Sequence, residues 1–126
     1  MLKKLKLNSD DRGTFVEVFK FPEDGRDGQI SFSTSKPGVV RGNHYHQERK
    51  LEKFCVISGK AELKQRNRET GEIIKHIFDG ENPEVVDILL NHTHNIKNIG
   101  DDVMYLLIWA NEIFNPDDPD TYAEEV

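Results

Sequence analysis

A single cysteine occurs in 126 residues, so no disulfide can form within the chain, and no Cys-x-x-Cys pair is present to bind a metal or a redox centre. A reducing compartment, the cytoplasm, is the expectation. Cys55, set in Phe54-Cys55-Val56-Ile57, reads as a buried structural thiol rather than a nucleophile. Positive charge is also scarce. With 17 Lys and Arg against 23 Asp and Glu the net charge is -6, which argues against a nucleic-acid footprint. No apolar run approaches the ~18 residues of a membrane span, and Met1 to Leu7 lacks the apolar core of a signal peptide. The Gly-x-Gly-x-x-Gly fingerprint of a dinucleotide-binding unit is missing, so reduction by NADPH would have to belong to a separate chain.

What remains is an all-β pattern in one domain, residues 1–126, without an internal linker or repeat. A chain of this length buries roughly two-thirds of its unfolded surface. Lys3, Lys4 and Lys6 among leucines suit an exposed strand face, and Asn8-Ser9-Asp10-Asp11 reads as a turn closing at Gly13. Thr14 to Phe21 alternates Phe15, Glu17, Phe19 against Val16, Val18, Lys20, and Pro22-Glu23-Asp24-Gly25 ends it. Gly28 to Thr34 places Ile30 and Phe32 on one face and Gln29, Ser31 and Ser33 on the other. If that polar face looks into a barrel, it can hydrogen-bond a sugar. After the turn Ser35-Lys36-Pro37-Gly38, hairpins follow: Phe54 to Ile57, Ala61 to Arg66 with Glu62, Lys64 and Arg66 outward, and Glu72 to Phe78. Val85 to Leu90, Thr93 to Asn98 and Asp102 to Ala110 bring the count to about nine or ten short strands, a sandwich or barrel. Tyr105 and Trp109 share a face of the last of these and are expected to fill the core. The tail, residues 111–126, is polar and proline-broken and is expected along the surface.

The chemistry concentrates in Gly38-Val39-Val40-Arg41-Gly42-Asn43-His44-Tyr45-His46, continued to Glu52 and Gly59. In an extended strand alternate side chains share a face, so His44 and His46 can chelate one transition metal. Glu52 keeps their parity and offers a third ligand if the chain turns back between Gln47 and Leu51. His94, in His94-Asn95-Ile96-Lys97-Asn98, offers a fourth. A lone histidine such as His76 or His92 is more often structural or solvated than catalytic.

These residues resemble the two cupin motifs. Gly38, His44, His46, Glu52 and Gly59 match the first, with five residues between His46 and Glu52 where the family usually has three or four. Leu89, Asn91, His94 and Asn98 occupy the proline, glycine, histidine and asparagine positions of the second. Asp11 to Phe19 is similar to a segment near the start of the cupin-fold nucleotide-sugar 3,5-epimerases, in which the arginine helps to hold the nucleotide diphosphate. By that resemblance Arg12 is a diphosphate ligand, and its planar guanidinium suits phosphate. From Gly28 to Val126 the chain looks like the C-terminal cupin domain of the bifunctional reductase/epimerases of capsular polysaccharide synthesis.

The resemblance implies a cupin barrel, a double-stranded β-helix or jelly roll, acting on a UDP-linked 4-keto-6-deoxy-N-acetylhexose and inverting C3. It implies a divalent metal, zinc by expectation, on His44, His46, Glu52 and His94, with Arg12, Gln29, Ser31 and Arg41 around the substrate. In the metal-free 3,5-epimerases the histidine matching His44 is the base and a tyrosine is the acid. Here the tyrosine position falls at Phe114, which cannot donate a proton. His44 as a metal ligand leaves the base to metal-bound hydroxide, Tyr45, Tyr105 or another interior residue. A homodimer is expected, with N-terminal strands within residues 1–34 exchanged so that Arg12 enters the partner's site. A 3,4-ketoisomerase and a non-catalytic cupin partnering a separate reductase are the alternatives.

Overall fold

The computed structural model describes residues 6–20 and 28–126; Lys3, Lys4 and Leu5 and the turn at Pro22-Glu23-Asp24-Gly25 lie outside the described residues. Eleven strands and no helix occur among the described residues: β1 Asn8–Asp10, β2 Gly13–Lys20, β3 Gln29–Ser35, β4 Val40–Tyr45, β5 Glu52–Ser58, β6 Lys60–Asn67, β7 Ile73–Asp79, β8 Val85–Ile88, β9 His92–Asn98, β10 Met104–Ala110 and β11 Tyr122–Ala123. They form two antiparallel sheets, β1-β2-β3-β10-β5-β8 and β11-β4-β9-β6-β7, the two halves of the expected jelly-roll barrel. Phe54, Val56, Ala61, Leu63, Phe78, Ile88, Ile96, Met104 and Leu106 pack between them as one core.

Period-2 alternation decides most of this. In β3 the polar residues Gln29, Ser31, Ser33 and Ser35 are buried and Ile30 and Phe32 face the other way, so the serine face does look inward. In β6 Glu62, Lys64 and Arg66 point outward while Ala61, Leu63 and Gln65 are buried.

Four expectations are corrected. Asn8-Ser9-Asp10 is a strand rather than a turn, paired with Thr14 and its neighbours, because the pairing partner outweighs the poor strand propensity of Asn, Ser and Asp. Cys55 is only half-buried, since Phe54 and Val56 take the inward parity of β5. Tyr105 is 41% exposed and Trp109 half-buried; both share β10's outer parity, while Met104, Leu106 and Ala110 fill the interior. The tail does more than lie along the surface. Tyr122 and Ala123 add an edge strand against Tyr45 and His44, and Asp120 is 2% exposed.

Candidate metal centre and substrate cavity

β4 and β9 build one half of the site. His44 stands directly opposite His94 in their antiparallel pairing. Arg41, three residues before His44, would face the opposite side of a regular strand, yet it stands opposite Ile96, whose side chain is buried in the interior. A bulge at Gly42-Asn43 reverses the parity. Gly42 has φ +96° and Asn43 φ +56°, and a Cβ on Gly42 would lie 2.9 Å from the His94 carbonyl oxygen. The extra residue therefore brings Arg41, His44 and His46 to the same cavity. β5 supplies the other half, with Glu52 at its first position.

The ligand atoms of His44, His46, Glu52 and His94 all lie within 4.8 Å of one another. Four donors this close together could hold one divalent ion between them. The chemistry of the donors fits that role. Both ring nitrogens of His94 are buried without a hydrogen-bond partner, an arrangement that needs an explanation in a folded protein. His46 Nδ1 lies 2.9 Å from the Asp120 carbonyl, which can only accept, so Nδ1 carries the hydrogen. Nε2 is thereby turned to Glu52 Oε1 at 2.5 Å, a contact that requires a proton or a metal cation shared by the two groups.

Electrostatics keep the donors in the binding state. Burial pushes His44 down to about 4, and the charges of His46 and Lys50 add to it against the pull of Glu52. Burial, then the charge of His44, pushes His94 down to about 3. Burial opposes ionisation of Glu52, but the hydrogen bond and charge of His46 outweigh it and hold the carboxyl below the usual range. At neutral pH His44 and His94 are therefore neutral and Glu52 is ionised, the state in which these three can ligate a divalent metal.

The donors line a cavity of about 320 Å³ together with the polar residues Arg12, Arg41 and Ser33 and the apolar residues Phe54, Ile108 and Phe114. An adjoining lobe of the same volume, lined by Gln29, Ser31 and Glu17 among others, shares Phe15, Lys50, Glu52, Ile108 and Phe114 with it. Arg12 chelates Asp10 at 2.7 and 3.2 Å, which holds Asp10 down to about 2. Arg41 donates to Ser35 Oγ and the Thr34 carbonyl, and burial lowers its pKa, followed by repulsion from Arg12. The Ser33 hydroxyl is buried and unpaired.

The expected site residues thus divide. His44, His46, Glu52, His94, Arg12 and Arg41 come together, and Gln29 and Ser31 line the adjoining lobe, where Gln29 also bonds Ser31 and the Phe114 amide. Tyr45 and Tyr105 do not join them. Tyr45 stacks on Tyr122 at 5.2 Å and lies under the Arg68 guanidinium at 3.8 Å, so it docks the tail on the outer face. His76 faces Glu84, and the His92 ring bonds the Leu90 carbonyl; neither is in the donor set. Ser33, on the polar face of β3 that the sequence also indicated, lines the cavity, and Lys50 is an addition. Lys50 is 9% exposed, lies in the loop between two ligands and places Nζ 5.4 Å from the Phe114 ring centroid. Its place between His46 and Glu52 was the only signal in the sequence.

Comparison with known proteins identifies the family and agrees with the fold. Residues 8–122 match the model of the polysaccharide biosynthesis C-terminal domain. The chain is 48% identical over 117 residues to UDP-2-acetamido-2,6-beta-L-arabino-hexul-4-ose reductase of Pseudomonas aeruginosa, covering 93% of this chain but 30% of that protein. Spore coat polysaccharide biosynthesis protein SpsL of Bacillus subtilis is 30% identical, with 94% of this chain and 83% of that one covered. A probable low-salt glycan biosynthesis epimerase, Agl13 of Haloferax volcanii, is 29% identical, with 94% and 81% covered. Among solved structures, the capsular polysaccharide assembling protein CapF of Staphylococcus aureus superposes with a TM-score of 0.92 at 47% identity, over 98% of this chain and 35% of that one. Oxalate decarboxylase of Lactobacillus farciminis, 22% identical with a TM-score of 0.73 over 86% of this chain and 31% of that one, shares the cupin fold. The chain spans about a third of the length of the reductase and of CapF. No helix among the described residues is long and apolar enough to cross a membrane. The matched model covers nearly the whole chain, and the chain belongs to the polysaccharide biosynthesis C-terminal domain family, built on a cupin barrel.

Proposed function

We propose that this protein is a metal-dependent epimerase acting at C3 of a nucleotide-linked 4-keto-6-deoxy-N-acetylhexose in surface polysaccharide synthesis. The observation that carries the reading is the convergence of His44, His46, Glu52 and His94 in a cavity that two guanidiniums also line. Zinc suits three imidazoles and a carboxylate. When bound, the metal draws electron density from the sugar's 4-keto oxygen and makes the C3 hydrogen acidic.

The chain's own residues supply the rest. Arg12 and Arg41 bind the diphosphate through the Nη1 ends of their guanidiniums, their Nε and Nη2 edges being held by Asp10 and by Ser35 and Thr34. Ser31 and the unpaired Ser33 hydroxyl bond the sugar, with Gln29 behind them. The apolar residues Phe54 and Ile108 accept the 6-methyl group, which lacks the hydroxyl that would need a partner there. Another interior group takes the C3 proton to give the enolate, and Lys50 returns a proton to C3 from the opposite face. Its ammonium lies over Phe114, the position at which the metal-free 3,5-epimerases carry their acid, and a cation there replaces the missing tyrosine hydroxyl.

A homodimer belongs to this reading. Phe32, Leu107, Cys55 and Val85 stand side by side across β3, β10, β5 and β8, and the outer face they share suits a second copy. Within the chain β2 pairs with its own β3, which puts Arg12 at its own cavity. Reduction of the ketone is assigned to an NADPH-dependent unit in another chain or another part of a longer one. The test is incubation with the UDP-linked 4-keto sugar in deuterium oxide, with and without chelator, followed by NMR. Loss of the C3 proton with appearance of the inverted sugar, abolished by chelator, is expected; a moved carbonyl means a ketoisomerase, and no exchange in metal-replete protein defeats the reading.

A further inference from the structure

The two middle ligands, His46 and Glu52, flank a loop of five residues, and what holds that loop lies in the tail. Asp120 Oδ1 accepts from the backbone N–H of Gln47 at 3.2 Å and of Glu48 at 3.3 Å. Oδ2 accepts from Glu48 at 3.2 Å, Arg49 at 2.9 Å and Lys50 at 3.0 Å. Four consecutive N–H groups therefore wrap one buried carboxylate, an anion nest built from backbone. The same residue's carbonyl accepts from His46 Nδ1. Thr121, whose hydroxyl donates to the Pro119 carbonyl, stands 3.3 Å from that nitrogen. Asp120 adopts φ +46°, the left-handed region that costs a side-chain-bearing residue energy, so the tail is held there against its own preference.

Every bond that Asp120 accepts comes from the ligand-bearing segment. The carbonyl fixes the tautomer and the ring plane of His46, as partners behind metal-bound histidines do. The carboxylate fixes the path from His46 to Glu52 and the backbone from which the Lys50 side chain leaves. We propose that Asp120 is a positioning residue of the metal centre, holding His46 and the 47–50 loop in ligating geometry, and that metal affinity depends on the C-terminal tail. The inference rests on the reading of the four-donor cluster as a metal site.

The test compares the full-length wild type with Asp120→Ala and Asp120→Asn, both stripped of metal and titrated with Co²⁺ and Zn²⁺ against a chromophoric chelator. Circular dichroism and thermal melts of the stripped proteins establish folding. Asp120→Ala is expected to weaken binding about 10- to 100-fold, the range for loss of a partner behind a ligand, and to shift the Co²⁺ d–d bands. Asp120→Asn, which tolerates the left-handed backbone but lacks the charge, is expected to fall between. A purely structural role would lower the melting temperature while leaving affinity and the Co²⁺ spectrum unchanged. A folded Asp120→Ala that binds within twofold of wild type with an unaltered spectrum overturns the proposal; if that variant does not fold, the Asn variant decides by the same criterion. If wild type binds neither ion, the metal reading itself falls and this inference with it, whereas tight wild-type binding matched by the variants refutes Asp120 alone.

Discussion

Replacing His94 by leucine should make the metal-free protein more stable and the metal-loaded protein less so. His94 is 1% exposed, and neither ring nitrogen has a partner. A neutral imidazole has one donor and one acceptor, and each buried group left unsatisfied costs about 1–3 kcal/mol. Leucine is close in volume and has no polar atom; imperfect packing returns at most about 1.5 kcal/mol. The two groups together cost about 2–6 kcal/mol, so a net gain of about 0.5–4.5 kcal/mol follows, at about 3–5 °C in Tm per kcal/mol for a chain of this size. Metal reverses the order, because ion at a thousandfold excess over its Kd stabilises the wild type by about 4 kcal/mol and the variant by almost nothing. Melts of stripped and loaded proteins at pH 8 read both halves. The variant should also flatten the acid limb. With His44 held at about 4 and His94 at about 3, the unfolded chain, titrating near 6.5, binds more protons than the folded one between those values. Stability is therefore present above pH 6.5 and lost as pH falls, by about 1.4 kcal/mol per pH unit for each histidine, and the variant loses one share. A stripped His94→Leu protein less stable than stripped wild type would refute the reasoning, since it would show that His94 is satisfied without a metal.

Lys50→Met should retain metal and lower the C3 exchange rate about 10²–10⁴-fold, the usual contribution of a general acid; an undiminished rate removes Lys50 from the mechanism. Arg12→Ala and Arg41→Ala should each raise KM about 10- to 100-fold with kcat little changed, the value of one charge-assisted contact to phosphate, and steady-state kinetics with the nucleotide sugar will show whether kcat falls instead. Tyr45→Phe and Tyr105→Phe should leave exchange within about twofold of wild type, and a tenfold loss in either would contradict their outward placement.

The convergence of the four donors was legible because three of them share parity, His44, His46 and Glu52, and the strand period is robust wherever one face is buried. The same parity already turned Tyr45 outward, between two inward histidines. Tyr105 and Trp109 misled because an aromatic on a strand is compatible with either face, and the interior of β10 was filled by Met104, Leu106 and Ala110. Arg41 could not be placed by counting, since its inward direction depends on the bulge at Gly42-Asn43. Lys50 and Asp120 lie in segments without a period, a loop and a proline-broken tail. Their burial comes from bonds across about 70 positions of sequence, which no local pattern encodes.

The departures from the cupin motifs have local causes that join into one construction. Asn91 stands where the second motif has glycine, and its φ of +55° is the left-handed conformation that asparagine accepts best after glycine, so the turn before His94 is kept. The longer loop between His46 and Glu52 follows from what it encloses. Four N–H groups, from residues 47 to 50, close around Asp120, and a spacing of three residues would lack the last of them. That last residue is Lys50, whose side chain reaches over Phe114, where the metal-free enzymes keep a hydroxyl. Lys50 therefore both donates to the nest around Asp120 and, in the proposed mechanism, carries the cation that stands in for the acid. Shortening the loop by deletion of Arg49 should then lower metal affinity and proton exchange together, whereas Lys50→Met should lower exchange alone.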